Sequence, residues 1–140
     1  MKMFFKSFLI KAMKGKIIHI EGMKFLGIID NHSIVFDNGE AALTPMQTLL
    51  LSLAACTAMD VWNIMVKKRE KINRLEIEIE GERENKYPKI FKKIELKYIF
   101  KGEVNEKACE QAIELSMKKY CSISNMIKEV AEIKTSFDVK

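Results

Sequence analysis

From Met46 to about Arg69 the chain runs without a glycine or a proline. The first part of that run, Leu49-Leu50-Leu51-Ser52-Leu53-Ala54-Ala55-Cys56, is apolar nearly all the way round a helix. Helix-start chemistry introduces it. Thr44 suits the N-cap, Pro45 suits the first helical position, and Gln47, three residues after Thr44, completes a capping box. A helix without a polar face has to be covered on most of its sides. Ala54 and Ala55, both small and both beside Cys56, let a second helix approach closely. The segment turns polar only at its end, in Lys67-Lys68-Arg69. Any fold for this chain is therefore built around one helix that wants cover on both flanks.

The flanking segments supply sheets. Three short strands are expected first, over Lys16–Ile20, Met23–Ile29 and Ser33–Phe36, with Gly22 and Asp30-Asn31 as the turns and Asp37-Asn38-Gly39 as a loop. After the helix, Leu75, Ile77 and Ile79 alternate with Glu76, Glu78 and Glu80. Ile94, Leu96, Tyr98 and Phe100 alternate with Glu95, Lys97 and Ile99. Both runs have the period of two that marks a strand with one buried face. Their opposed Glu and Lys faces suit antiparallel neighbours joined through Asn85–Pro88. A helix over about Asn105–Lys119, a break at Tyr120-Cys121-Ser122, a last helix over about Ile123–Ala131 and a closing strand with Ile133, Thr135, Phe137 and Val139 complete the chain. The order βββ-α-ββ-αα-β is an α+β fold. At 140 residues it makes one domain, expected over residues 14–140, behind an extension at residues 1–13.

Composition removes several function classes. The net charge of +5 is a modest excess, and the charges are mixed, as in Lys67-Lys68-Arg69-Glu70-Lys71, which reads as a solvated surface. No aromatic-rich basic motif is present, so no nucleic-acid partner is expected. Three cysteines stand far apart, with neither Cys-x-x-Cys nor Cys/His spacing, and the histidines are His19 and His32 alone; no metal site and no cofactor are expected. No nucleophile elbow, phosphate loop or dinucleotide fingerprint occurs. Few cysteines and no cleavable export signal point to a reducing, cytoplasmic compartment. Phe4, Phe5, Phe8, Leu9 and Ile10 form an apolar stretch far too short to span a bilayer. Met1 to Met13 is read as a packing extension or as sequence upstream of a true start at Met13, with a membrane-surface helix as the alternative; no membrane partner is expected.

What remains is thiol chemistry. Cys56 in an apolar helix reads first as a buried thiol, whose pKa burial would raise. Cys121 lies just before a helix, where unpaired N–H groups favour a thiolate, with Ser122 competing for the N-cap. Cys109, mid-helix, reads as an ordinary packing residue.

Leu43-Thr44-Pro45-Met46-Gln47, followed by the run from Leu49 to Cys56 and by Thr57-Ala58-Met59-Asp60-Val61, resembles the central-helix signature of the OsmC/Ohr family. Tyr120-Cys121-Ser122-Ile123-Ser124 resembles its second cysteine motif. Gly22-Met23-Lys24-Phe25-Leu26-Gly27 has a counterpart in the YhfA-like branch. The resemblance covers about Met13 to Val139. It implies an intertwined homodimer with the central helices buried between wrapped sheets. It also implies a peroxiredoxin-like thiol peroxidase acting on organic hydroperoxides. Cys56 would be the peroxidatic thiolate, Cys121 would resolve its sulfenic acid as a disulfide, and a dithiol would reset the pair. Active members hold the thiolate with an arginine from the N-terminal strands, itself held by a glutamate in the first turn of the central helix. Here the first arginine is Arg69, and the glutamate's place falls at Met46 or Gln47. Lys24 or Lys16 would stand in as the cation and Gln47 for the glutamate, although a lysine lacks the planar fork of arginine. The alternative implied is a catalytically weak or inactive dimer that binds an apolar small molecule in the cysteine cleft.

Overall fold

Two tight turns at the start of the chain double three strands back on one another. The structure, a computed structural model, describes residues 12–140; the readings made for the first residues, a packing extension or a membrane-surface helix, fall almost wholly outside the described residues. The described chain separates into two compact units, one ending at Gln47 and the other beginning at Thr48.

In the N-terminal unit β1 (Gly15–Glu21), β2 (Lys24–Ile29) and β3 (His32–Phe36) form an antiparallel meander in the order β1-β2-β3. The expected turns make it: Gly22 takes a positive φ of 51° between β1 and β2, and Asp30 one of 55° between β2 and β3. Gly27 stands at the centre because the Phe36 ring and the Ile17 side chain come so close from either side that a Cβ would press on both. After β3, the Asp37 carboxylate gathers the loop by accepting hydrogen bonds from the Asn38 N–H at 2.6 Å and the Ala41 N–H at 3.0 Å. The capping box forms as expected. The Thr44 N–H donates to Gln47 Oε1 at 3.0 Å, and the Gln47 N–H donates to Thr44 Oγ1 at 3.1 Å.

The helix so started is α1 (Pro45–Lys67). Most of it belongs to the C-terminal unit, with β4 (Lys71–Arg83), β5 (Phe91–Glu103), α2 (Glu106–Leu115), a π-helical turn (Ser116–Tyr120), α3 (Ser122–Ile127) and β6 (Glu132–Val139). The sheet order is β4-β5-β6; β4 pairs antiparallel with β5, and β6 returns parallel to β5. A parallel return needs a long crossover, which the helical segment after β5 provides. Central strand β5 carries the core through Ile94, Leu96, Tyr98 and Phe100. Leu53, Val61 and Met65 of α1 and Cys109 and Ala112 of α2 are buried with them. The expected Glu–Lys opposition is present: Glu78 faces Lys97 in the ladder, and Lys101 Nζ reaches Glu76 at 2.7 Å. By length and composition α1 could cross a membrane, a test that the core helix of a soluble domain also passes. Thr57 ties this one to β5 through a buried hydrogen bond.

Several boundaries differ from expectation. β4 and β5 reach thirteen residues each, well past their alternating cores, because a β-hairpin ladder continues through the polar ends. The helix expected over Asn105–Lys119 stops at Leu115 and widens into the π turn, closed by the Cys121 N–H donating to Ser116 O at 2.7 Å. The last helix is shorter than Ile123–Ala131, and its N-cap is Cys121 rather than Ser122.

Candidate active site

Cys56 stands midway along α1, half-buried, with Thr57 beside it and Asp60 one turn on. Four residues along a helix return to the same face, so Cys56 and Asp60 look the same way while Thr57 points into the core. Thr57 is fully buried and could not stay there unpaired without a cost of about 1–3 kcal/mol. Its Oγ1 lies 2.7 Å from Tyr98 Oη and 2.8 Å from Ser116 Oγ. Ser116 Oγ donates to Asp60 Oδ2 at 3.0 Å. A hydroxyl has one proton, so these contacts fix a direction: Tyr98 donates to Thr57, Thr57 to Ser116, and Ser116 to the Asp60 carboxylate. Burial pushes the Tyr98 phenol up to about 12, and the charges of Cys121 and Asp60 act the same way against the Thr57 hydrogen bond. The phenol thus remains a neutral donor, and the whole line of hydroxyls orients one carboxylate.

The π turn explains how Ser116 joins this line and how Cys121 arrives next to it. Widening the helix by one residue leaves the Ser116 side chain buried and frees Cys121 into extended backbone, φ −74° and ψ 101°. The Cys121 carbonyl then accepts from Asn125 Nδ2 at 2.8 Å and Ser124 Oγ at 3.1 Å, which pins the backbone. Its Sγ accepts from the Ser124 N–H at 3.4 Å. That sulfur approaches Cys56 to 3.5 Å, and the Asp60 carboxylate completes a triangle in which all ligand atoms lie within 4.8 Å of one another. A disulfide requires about 2.05 Å, so the pair is two thiols poised next to each other.

The sequence placed Cys121 where helix N–H groups would favour a thiolate. The structure corrects this. Burial raises the Cys121 thiol and outweighs the Ser124 hydrogen bonds that lower it, and the neighbouring Cys56 raises it further. Cys109, fully buried on α2, is pushed up to about 11 by burial, with Glu70 and Glu106 adding to it, and fits its expected role as packing.

The other two candidates are engaged within the N-terminal unit. The Gln47 backbone N–H and its side-chain Oε1 both go to the capping box. Lys24 is half-buried on β2. There the Asn38 and Ala41 N–H groups hold the Asp37 carboxyl below its ordinary value, and the Lys24 charge adds to them. Lys16 is exposed on β1. Sequence reasoning missed Asp60, Thr57, Ser116 and Tyr98. One signal was available: Asp60 follows Cys56 by four residues, an acid on the cysteine's own face of an otherwise apolar helix.

Residues 37–136 match the family model described as OsmC-like protein. The chain is 32% identical over 131 residues to Protein YhfA of Escherichia coli strain K12, covering 91% of this chain and 98% of that one. The crystal structure of a hypothetical protein from Aquifex aeolicus VF5 superposes with a TM-score of 0.88 at 37% identity, over 94% of this chain and 98% of the other. That of an organic hydroperoxide resistance protein OsmC from Legionella pneumophila has a TM-score of 0.70 at 18% identity, over 92% and 98%, and is a likeness of fold. The two cysteine motifs, the βββ-α-ββ-αα-β order and a family match across most of the chain agree, and the chain belongs to the OsmC-like family.

Proposed function

We propose that the protein is a thiol peroxidase that reduces organic hydroperoxides with Cys56 and Cys121. The observation that carries this reading is the 3.5 Å approach of the two cysteines, which come from α1 and from the junction between the π turn and α3. Cys56 is the attacking sulfur because it is half-exposed, whereas Cys121 is fully buried and burial raises its thiol above the ordinary value. The Cys56 thiolate attacks the distal peroxide oxygen and the O–O bond breaks. The alkoxide leaves as an alcohol after taking a proton, and Cys56 becomes a sulfenic acid. The Cys121 sulfur then attacks the Cys56 sulfur, water leaves, and a disulfide forms. An external dithiol reduces it and is itself oxidised to a disulfide. The two sulfurs have to close by about 1.5 Å to bond. The working unit in this reading is a homodimer, since α1 leaves Met59, Trp62 and Val66 exposed on the flank away from its core.

The test is peroxide consumption by reduced protein supplied with cumene hydroperoxide and a dithiol. Turnover, with a Cys56–Cys121 disulfide found by peptide mapping, is the expected result; a rate no higher than that of Cys56→Ser overturns it. A second reading, a dimer that binds an apolar molecule without turnover, draws on Asp60: it sets a carboxylate beside the thiols, and a neighbouring negative charge disfavours a thiolate.

A further inference from the structure

We propose that Cys56, Asp60 and Cys121 form a binding site for a thiophilic divalent cation, zinc by its chemistry, with a fourth position open to water. This goes beyond the peroxidase reading and does not rest on it. The usual sequence signatures of zinc place two ligands within a few residues on one loop. Here one arm is a helical Cys-x-x-x-Asp pair and the other arrives from 61 residues later in the chain, a pattern that motif spacing does not describe.

The geometry suits a four-coordinate ion. Bonds of about 2.3 Å to sulfur at tetrahedral angles set two thiolates about 3.8 Å apart, and set a carboxylate oxygen about 3.6 Å from each sulfur. The cysteines already approach to 3.5 Å, and all three ligand atoms lie within 4.8 Å of one another, so a turn of the Asp60 side chain closes the triangle. Two soft sulfurs with one oxygen select zinc or cobalt over magnesium or calcium, which take oxygen ligands.

The surroundings are those of a supported ligand set. Ser116 Oγ holds one Asp60 oxygen at 3.0 Å and is itself fixed by Thr57 and Tyr98, which leaves the second oxygen for the ion. The Ser124 N–H donates to Cys121 Sγ at 3.4 Å, as an outer-sphere donor does to a metal-bound thiolate. Binding displaces two protons: each thiol gives its proton to the solvent, and the resulting thiolates with the carboxylate carry one negative charge more than the cation neutralises. Because it occupies both sulfurs, a bound cation and reaction with peroxide exclude each other.

The experiment is a titration of reduced, chelator-treated full-length protein with cobalt(II) in the absence of oxygen. A sulfur-to-cobalt charge-transfer band should saturate at one ion per chain and disappear on adding zinc. Cys56→Ser and Cys121→Ser should lose the band. Asp60→Asn, which keeps a partner for Ser116, should bind about tenfold more weakly or worse. Absence of the band in the unmutated protein, or undiminished affinity in Asp60→Asn, overturns the site. A second measurement needs no variant: one equivalent of zinc should protect Cys56 from alkylation, and unchanged labelling also overturns it. The metal-free protein's peroxide consumption is read separately, so either reading can fail without the other.

Discussion

Thr57 shows most directly how single residues set this site. It is one hydroxyl in a line of four polar groups, and its neighbours on either side are buried with it. Thr57→Val keeps the shape and removes both hydrogen bonds, so Tyr98 and Ser116 each lose a buried partner. The expected cost is about 1–3 kcal/mol, read from the urea midpoint at unchanged slope. Adding Tyr98→Phe removes the orphaned phenol, so the double variant should be less destabilised than the sum of the two singles. Additive losses would show that the hydroxyls act independently. Residue by residue, the sequence revealed less here than in the elements. Cys56 and Cys121 were legible through their motifs. The hydroxyl line was not, because nothing in a periodicity shows which threonine or serine on a helix will be buried together with a tyrosine from a distant strand. Cys121 as an N-cap was hidden for a simpler reason: capping rules name Ser, Thr, Asp and Asn, and a thiol filling that role is found only from coordinates.

At the scale of elements, starts were more legible than stops. The capping box placed the beginning of α1 within a residue because Thr44, Pro45 and Gln47 each have a local reason to be there. The end is a Schellman closure that the sequence concealed: the Arg69 N–H donates to Val66 O at 2.9 Å, the Glu70 N–H to Met65 O at 3.1 Å, and Arg69 takes φ +60°. Glycine is the usual residue in that left-handed position because a Cβ is strained there. Arg69→Gly should therefore stabilise the protein by about 0.5–1 kcal/mol, the relief at the cap exceeding the added freedom of the unfolded chain. A higher urea midpoint checks it; a lower one would show that the Arg69 side chain contributes more than its backbone costs. The π turn was equally concealed, since Ser116–Tyr120 continues a helical pattern and one inserted residue alters no residue type. Strand existence was read correctly from alternation, whereas the polar ends of β4 and β5 carry no alternation to read.

For the whole molecule the sequence poses one question: what covers an all-round apolar helix. On α1, Leu53, Thr57, Val61 and Met65 repeat every four residues and are buried. On the opposite flank Met59 is 73% exposed, Val66 50% and Trp62 40%. Within the N-terminal unit, Ile17, Ile20, Met23 and Ile29 are exposed as well. Single exposed apolar residues are ordinary, but a helical stripe at i, i+3 and i+7 is a surface made for contact. The homodimer proposed above would cover it, and Met59→Lys separates a dimer interface from a free surface. On a free surface the change shifts stability by no more than about 0.5 kcal/mol. At the centre of a dimer interface it buries an unpaired ammonium, which the dimer relieves by dissociating. Sedimentation of the unmutated protein should give twice the chain mass and a melting temperature that rises with concentration. Met59→Lys should sediment as a monomer and melt lower, without concentration dependence. A variant with unaltered mass and melting would mean that this flank of α1 faces water in the working protein.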